Sequence, residues 1–139
     1  MKMKFKPLFV KKNISFFKKY FIHFGLQEIL NKKNFKSRGV NKMEDSVAYQ
    51  PELDDLYLLH NYIIKFNRMT VLEFGTGWST IVMANAINYN LKKYYKKSKN
   101  LRMNNAGEVH CVDNDKKWID KTKKKLKKLK KIVKFHYSS

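Results

Sequence analysis

Two short groups of residues have the types and spacing to hold a polar ligand. In the first, Glu73 precedes Gly75 and Gly77 in the run V-L-E-F-G-T-G-W-S-T. The apolar residues before this run predict a buried strand, and those after it predict a helix. Glycines let a backbone turn sharply and approach a ligand closely, and the first N–H groups of a helix are free to meet its polar atoms. A strand, a glycine turn and a helix are typical of ligand binding at the carboxyl end of the first strand of an open α/β sheet.

The second group is the run E-V-H-C-V-D-N-D from Glu108 to Asp115. Its apolar residues predict a short buried strand that ends at Asp113. An acidic residue in that position can accept hydrogen bonds from both hydroxyls of a ribose. Asp113 follows Gly77 by 113 − 77 = 36 residues, whereas a dinucleotide-binding unit has about 20, so we expect residues 91–107 to loop out as an insertion. A turn residue remains the alternative for Asp113, and Asp115 is expected to cap the next helix.

The first group resembles motif I of the class I S-adenosylmethionine-dependent methyltransferases, in its E-x-G-x-G-x-S-T form, and Asp113 resembles motif II. The resemblance covers about Pro51 to Tyr137. It implies an α/β, Rossmann-like three-layer sandwich with parallel strands in the order 3-2-1. It also implies S-adenosyl-L-methionine as cofactor and methyl transfer to an unidentified O, N or C acceptor. The cofactor-binding residues that it implies are Glu73, Phe74, Gly75, Thr76, Gly77, Ser79, Asp113 and Asn114.

Other functions are compatible with a glycine turn. A nucleotide- or NAD-binding loop of the form G-x-G-x-x-G would need a third glycine where this chain has Thr80. Glu73 would also lie close to an anionic pyrophosphate, whereas S-adenosylmethionine is cationic at its sulfonium and ammonium groups and carries no phosphate. A strand, turn and helix without any ligand is the remaining alternative.

A complete domain of the resembled family has seven strands in the order 3-2-1-4-5-7-6, and this sequence predicts only the first three. The residues that act on the methyl acceptor usually follow strand 4, so no catalytic residue can be named. The first strand would be an exposed apolar sheet edge, which invites association. We expect a truncated domain, inactive as this short chain, whose edge is covered by a missing C-terminal half or by a second copy in a homodimer.

The chain is strongly basic, with 31 Lys and Arg against 11 Asp and Glu and a net charge of +20. Such a charge suggests a non-catalytic module that binds RNA or an anionic membrane surface. Only Arg38, Arg68 and Arg102 are arginines, however, and nucleic-acid surfaces favour arginine for forked contacts. The lysines therefore predict non-specific, salt-sensitive attraction to polyanions.

Residues 1–50 are predicted to form basic amphipathic helices and a linker that precede the domain in 51–139. Phe17, Tyr20, Phe21 and Phe24 lie at helical spacing. Such a helix could cap the domain, lie on a membrane surface or stack on RNA, and residues 34–50 could be a lid over the cofactor or a passive linker. No apolar run is long enough to cross a membrane. The single cysteine is compatible with the cytoplasm, and the scattered histidines predict no metal site.

The remaining segments predict a regular alternation of helices and strands. Helices are expected from Pro51 to Phe66, from Ser79 to about Asn90 and from Lys116 to Lys131, and a third strand from Ile132 to Tyr137. His60 lies on the apolar stripe of the first of these helices, so we expect a core residue there rather than a catalytic base.

Overall fold

The described part of the chain alternates helices with parallel strands. A computed structural model describes residues 13–31, 52–94 and 106–138. In chain order the elements are α1 (Ile14–His23), a 3₁₀ turn (Gln27–Leu30), α2 (Leu53–Lys65), β1 (Thr70–Phe74), α3 (Trp78–Lys93), β2 (Glu108–Asp113), α4 (Lys116–Leu126), a second 3₁₀ turn (Lys127–Ile132) and β3 (Val133–Tyr137). The predicted linker in 34–50 and most of the insertion in 91–107 lie outside the described residues.

The three strands form one open, all-parallel sheet in the order β1-β2-β3. Side chains alternate between the two faces of a strand, and paired residues share a face. Val71, Val109 and Val133 are paired in this way and lie on the face that packs against the helices. Leu72 and Phe74 lie on the opposite face, where their side chains are 61% and 81% exposed.

Helix α3 fills the centre of the core, because most of its length is apolar on more than one side. Its buried residues contact α2 and the inner face of the sheet. Helix α1 joins the same core through Phe17 and Phe21, which confirms the helix predicted from the aromatic spacing. The turn after α1 contains Gly25, whose φ of +71° places it in the left-handed region that glycine adopts readily.

Two helices end at different places from those predicted. Helix α3 continues to Lys93, three residues past Asn90. The helix predicted from Lys116 to Lys131 is wrong in its last part, since α4 ends at Leu126 and a 3₁₀ turn follows. Lys127 has a φ of +49°, which breaks the helix and returns the chain toward the sheet. This change of direction places Ile132 and Val133 in the core.

His60 is fully buried between α1, α2 and α3, as the core interpretation predicted. Asn85 donates from Nδ2 to the carbonyl oxygen of Phe24, at 3.1 Å, so its Oδ1 accepts from His60 Nε2 at 3.0 Å. The other ring nitrogen, Nδ1, then accepts from the Tyr20 hydroxyl at 2.8 Å. Burial lowers the pKa of His60 to about 4, although its bond to Asn85 opposes the shift. This chain of hydrogen bonds holds α1 against the other two helices.

Within the ranges given above, no helix has both the length and the apolar character needed to cross a bilayer.

Candidate functional site

The glycine turn joins the end of β1 to the start of α3. Gly75 has a φ of +90°, a conformation that side chains other than glycine's adopt only under strain. Its N–H donates to the carbonyl oxygen of Val112 on β2, at 2.7 Å. The turn is therefore attached to the neighbouring strand, and it lies directly beside Asp113 at the end of that strand.

Glu73 lies on the helix-facing side of β1 and accepts three hydrogen bonds. The hydroxyl of Ser79 donates to Oε1 at 2.5 Å, and the hydroxyl of Thr80 donates to Oε2 at 2.6 Å. The thiol of Cys111 also donates to Oε2, at 3.2 Å, from the paired position on β2. Both carboxylate oxygens are thus used to hold the first turn of α3 and the middle of β2 beneath the glycine turn.

Burial governs the protonation of Glu73 and of its neighbour Cys111. It raises the pKa of the Glu73 carboxyl, and the negative charge of Asp113 adds to the rise, while the donors Ser79, Thr80 and Cys111 oppose it. Burial also raises the pKa of the Cys111 thiol, and the nearby Glu73 carboxylate raises it further. Cys111 is therefore a protonated hydrogen-bond donor at neutral pH rather than a reactive thiolate.

Asp113 is the last residue of β2, and both of its carboxylate oxygens accept hydrogen bonds from nearby residues. Thr76, in the glycine turn, donates its hydroxyl to Oδ2 at 2.7 Å, and the N–H of Asp115 donates to Oδ1 at 2.9 Å. Each carboxylate oxygen can accept more than one hydrogen bond, so both keep capacity for a ligand. Asp115 accepts from the N–H groups of Lys117 and Trp118, which confirms that it caps α4.

The structure brings most of the predicted site residues together at the carboxyl ends of β1 and β2. That group comprises Glu73, Gly75, Thr76, Gly77, Ser79 and Asp113. Asn114 follows Asp113 and is exposed. The side chain of Phe74 lies on the other face of the sheet, so only its backbone is near the turn.

Two residues of this cluster were not singled out from the sequence. Thr80 is fully buried and has a double role, since its hydroxyl donates to Glu73 and also accepts from the N–H of Gly77 at 3.0 Å. Cys111 contacts Glu73 across the strand pair. A signal for Cys111 was present, because it precedes Asp113 by two positions on one strand and so shares its face.

The space above the glycine turn is open in the described part of the structure. A Cβ atom added to Gly75 or to Gly77 would meet no atom of the described residues within 4 Å, apart from those of its chain neighbours. Gly75 is required by its positive φ, but Gly77 has a φ of 171°, which is extended backbone. Gly77 is the N-cap of α3, where glycine is a preferred residue, and the lack of a Cβ there also leaves room for a ligand to lie against the backbone.

Within the described residues, no group of three or more His, Cys, Asp and Glu side chains is arranged to hold a metal ion. Comparison of the chain with protein-family models finds no match, and comparison with curated proteins finds none either.

Proposed function

We propose that this chain binds S-adenosyl-L-methionine at the carboxyl ends of β1 and β2, as the cofactor-binding part of a methyltransferase. On this proposal the sheet is the 3-2-1 half of a Rossmann-like domain. The observation that carries the proposal is the hydrogen bond from Thr76 to Asp113. It joins the glycine turn to the acidic residue on the neighbouring strand, so the two groups that the sequence suggested lie within one contact of each other.

The chain's own residues have separate roles in this proposal. Gly75 and Gly77 leave the backbone accessible to the ligand. Asp113 accepts from the ribose hydroxyls, because both of its oxygens are already oriented by Thr76 and Asp115. Glu73 is a positioning residue, since its own donors keep it beneath the turn rather than in the open space. The bound cofactor would supply the electrophilic methyl group, and the acceptor is unidentified.

The structure gives two reasons to prefer this cofactor to a dinucleotide. A pyrophosphate is bound by free N–H groups at the start of a helix, and one of these, the N–H of Gly77, donates instead to Thr80 within the chain. The carboxylates of Glu73, Asp113 and Asp115 also lie near the carboxyl ends of β1 and β2. Their negative charge repels a pyrophosphate and attracts a sulfonium or ammonium group.

Calorimetric titration of the full chain with S-adenosylhomocysteine tests the proposal, beside NAD as a second probe. We expect saturable binding of the former and none of NAD. Asp113→Asn and Gly77→Ala should each weaken binding by about tenfold or more, because one removes an acceptor of ribose hydroxyls and the other places a methyl group against the ligand. Asp120→Asn is the matched control for charge, since Asp120 is exposed on α4.

Circular dichroism of each variant shows whether it is folded. A folded chain that takes up no S-adenosylhomocysteine, or that binds it equally well as Asp113→Asn, contradicts the proposal. Binding of NAD in preference would assign the turn to a dinucleotide.

A further inference from the structure

The two edges of the sheet differ in how they are protected from pairing. Edge strands in natural proteins commonly carry lysine or proline, which discourage association with another strand. β3 carries Lys134 in the middle of V-K-F-H-Y, whereas β1, T-V-L-E-F, carries neither residue type. No strand pairs with the outer edge of β1 in the described part of the chain. The one charged side chain of β1, Glu73, faces the helices and is held by hydrogen bonds within the chain, so β1 is the less protected of the two edges.

An apolar groove runs along the outer edge of β1. The β1-edge groove has a volume of about 710 Å³ and is lined by Asp55, Leu58, Leu59, Tyr62, Ile63, Arg68, Thr70, Val71 and Met83. Within this lining, Leu59 and Tyr62 of α2 are exposed, and Leu72 and Phe74 are exposed on the other face of β1. Exposed apolar side chains therefore lie on both faces of the sheet at this edge, which is more typical of a protein-binding surface than of scattered exposed residues.

The charges of the groove exclude two of the partners that a basic chain suggests. Among the described residues its lining contains no lysine, and the two charged residues there are Asp55 and Arg68, of opposite sign. A nucleic acid or an anionic membrane would bind the lysine-rich surface of α4 in preference. The groove instead fits an extended apolar strand that carries little positive charge. β1 itself has this composition.

We infer that the β1-edge groove is the contact surface of a homodimer in which β1 pairs antiparallel with β1 of a second copy. A two-fold axis perpendicular to the sheet would join the two sheets into one of six strands. The same axis would lay α2 antiparallel to α2 of the partner, so that Leu59 and Tyr62 of each copy contact the other. This contact is isologous, because each copy contributes the same surface.

Charge complementarity favours this orientation. Asp55 lies in the first turn of α2, and Arg68 lies three residues beyond its last. Ten residues separate Asp55 from Lys65, the last residue of α2, so the two charges lie about 15 Å apart at opposite ends of the groove. Arg68 is held there above the ring of Tyr62, at 5.9 Å from its centroid. The two-fold axis brings Asp55 of each copy towards Arg68 of the other. The inference does not depend on what the glycine turn binds.

Sedimentation velocity of the full chain over a concentration series tests the dimer. We expect a monomer–dimer equilibrium that shifts toward dimer as salt screens the repulsion between two chains of charge +20. Leu72→Lys should weaken dimerisation by at least tenfold, because a lysine then lies at the paired edge. Ile14→Lys is the matched control, since Ile14 on α1 is 63% exposed and Leu72 is 61% exposed.

A charge-exchange experiment distinguishes the two-fold arrangement from other modes of association. Asp55→Arg and Arg68→Asp should each self-associate about tenfold more weakly, because like charges then meet at both ends of the interface. An equimolar mixture of the two variants should recover the dimer, since both contacts are again between unlike charges. Circular dichroism checks that each variant is folded.

A wild-type chain that stays monomeric across the series overturns the inference. So does a dimer that survives Leu72→Lys, a dimer lost in Ile14→Lys, a mixture that fails to recover, or growth into larger oligomers.

Discussion

Replacement of His60 should remove a defined part of the pH dependence of stability. The unfolded chain has a histidine pKa of 6.5, and the folded chain holds that of His60 at about 4, a difference of 6.5 − 4 = 2.5. Each pKa unit corresponds to about 1.4 kcal/mol, so complete protonation of His60 would remove about 3 kcal/mol of unfolding free energy. The sign follows from burial, because the folded state disfavours the protonated ring. The contribution of the neutral His60 ring to the unfolding free energy is complete above pH 6.5 and is lost as the pH falls toward about 4.

The measurement is urea unfolding of wild type and His60→Gln at about pH 8 and about pH 5. Between these two values the wild type should lose about 2 kcal/mol of unfolding free energy through His60, and the variant should lose none by this route. Glu73 acts in the opposite direction, because its raised folded pKa favours the folded state at low pH. The difference between the two proteins isolates His60, since Glu73 is common to both.

One further variant tests the hydrogen-bond network around His60. Tyr20→Phe keeps the ring of His60 but removes the donor to Nδ1, and it should lower the unfolding free energy by about 1 kcal/mol at neutral pH. An identical pH dependence in wild type and His60→Gln would refute the argument that burial controls this histidine.

Three other predictions follow from the contacts. Glu73→Gln should lower the unfolding free energy by about 1–3 kcal/mol in urea, since an amide NH₂ then faces a hydroxyl donor, and Asp120→Asn should not. In thermal melts, Gly107→Ala should be destabilising by about 2 kcal/mol or more, because φ is +90° and the new Cβ would clash with the side chain of Leu91. Gly25→Ala should lose only about 1 kcal/mol, because φ is +71° but no described residue beyond its chain neighbours lies within 4 Å of the new Cβ. The buried thiol of Cys111 should react with a thiol reagent only at urea concentrations that unfold the chain, and rapid labelling of the native protein would contradict this.

The strands were predictable because their signal is local. β1 and β2 combine short β-branched or apolar runs with turn residues at both ends, and a parallel arrangement follows when helices separate the strands. The Asp115 cap was predictable for the same reason, since a cap depends on residues only two or three positions away. The pairing of neighbouring strands then places Glu73 and Asp113 at one edge of the sheet.

The ends of helices and the partners of buried polar groups depend on distant residues. The lysine run after Leu126 favours a helix locally, but the chain must turn at Lys127 for β3 to reach the sheet. Thr80 and Cys111 contact Glu73 only because a strand pair and a helix meet there. Whether a strand residue such as Phe74 is buried or exposed likewise depends on which face of the sheet the helices cover.

The hydrogen bonds of His60 also bear on the order in which the chain folds. The bond from Asn85 to Phe24 joins residues 61 positions apart, and that from Tyr20 to His60 joins residues 40 apart. Closing such long loops loses chain entropy before any contact compensates for it. Helices α2 and α3 and strand β1 are neighbours along the chain and can associate first. We therefore expect helix α1 to dock late, with completion of its contacts as the last step toward the native core.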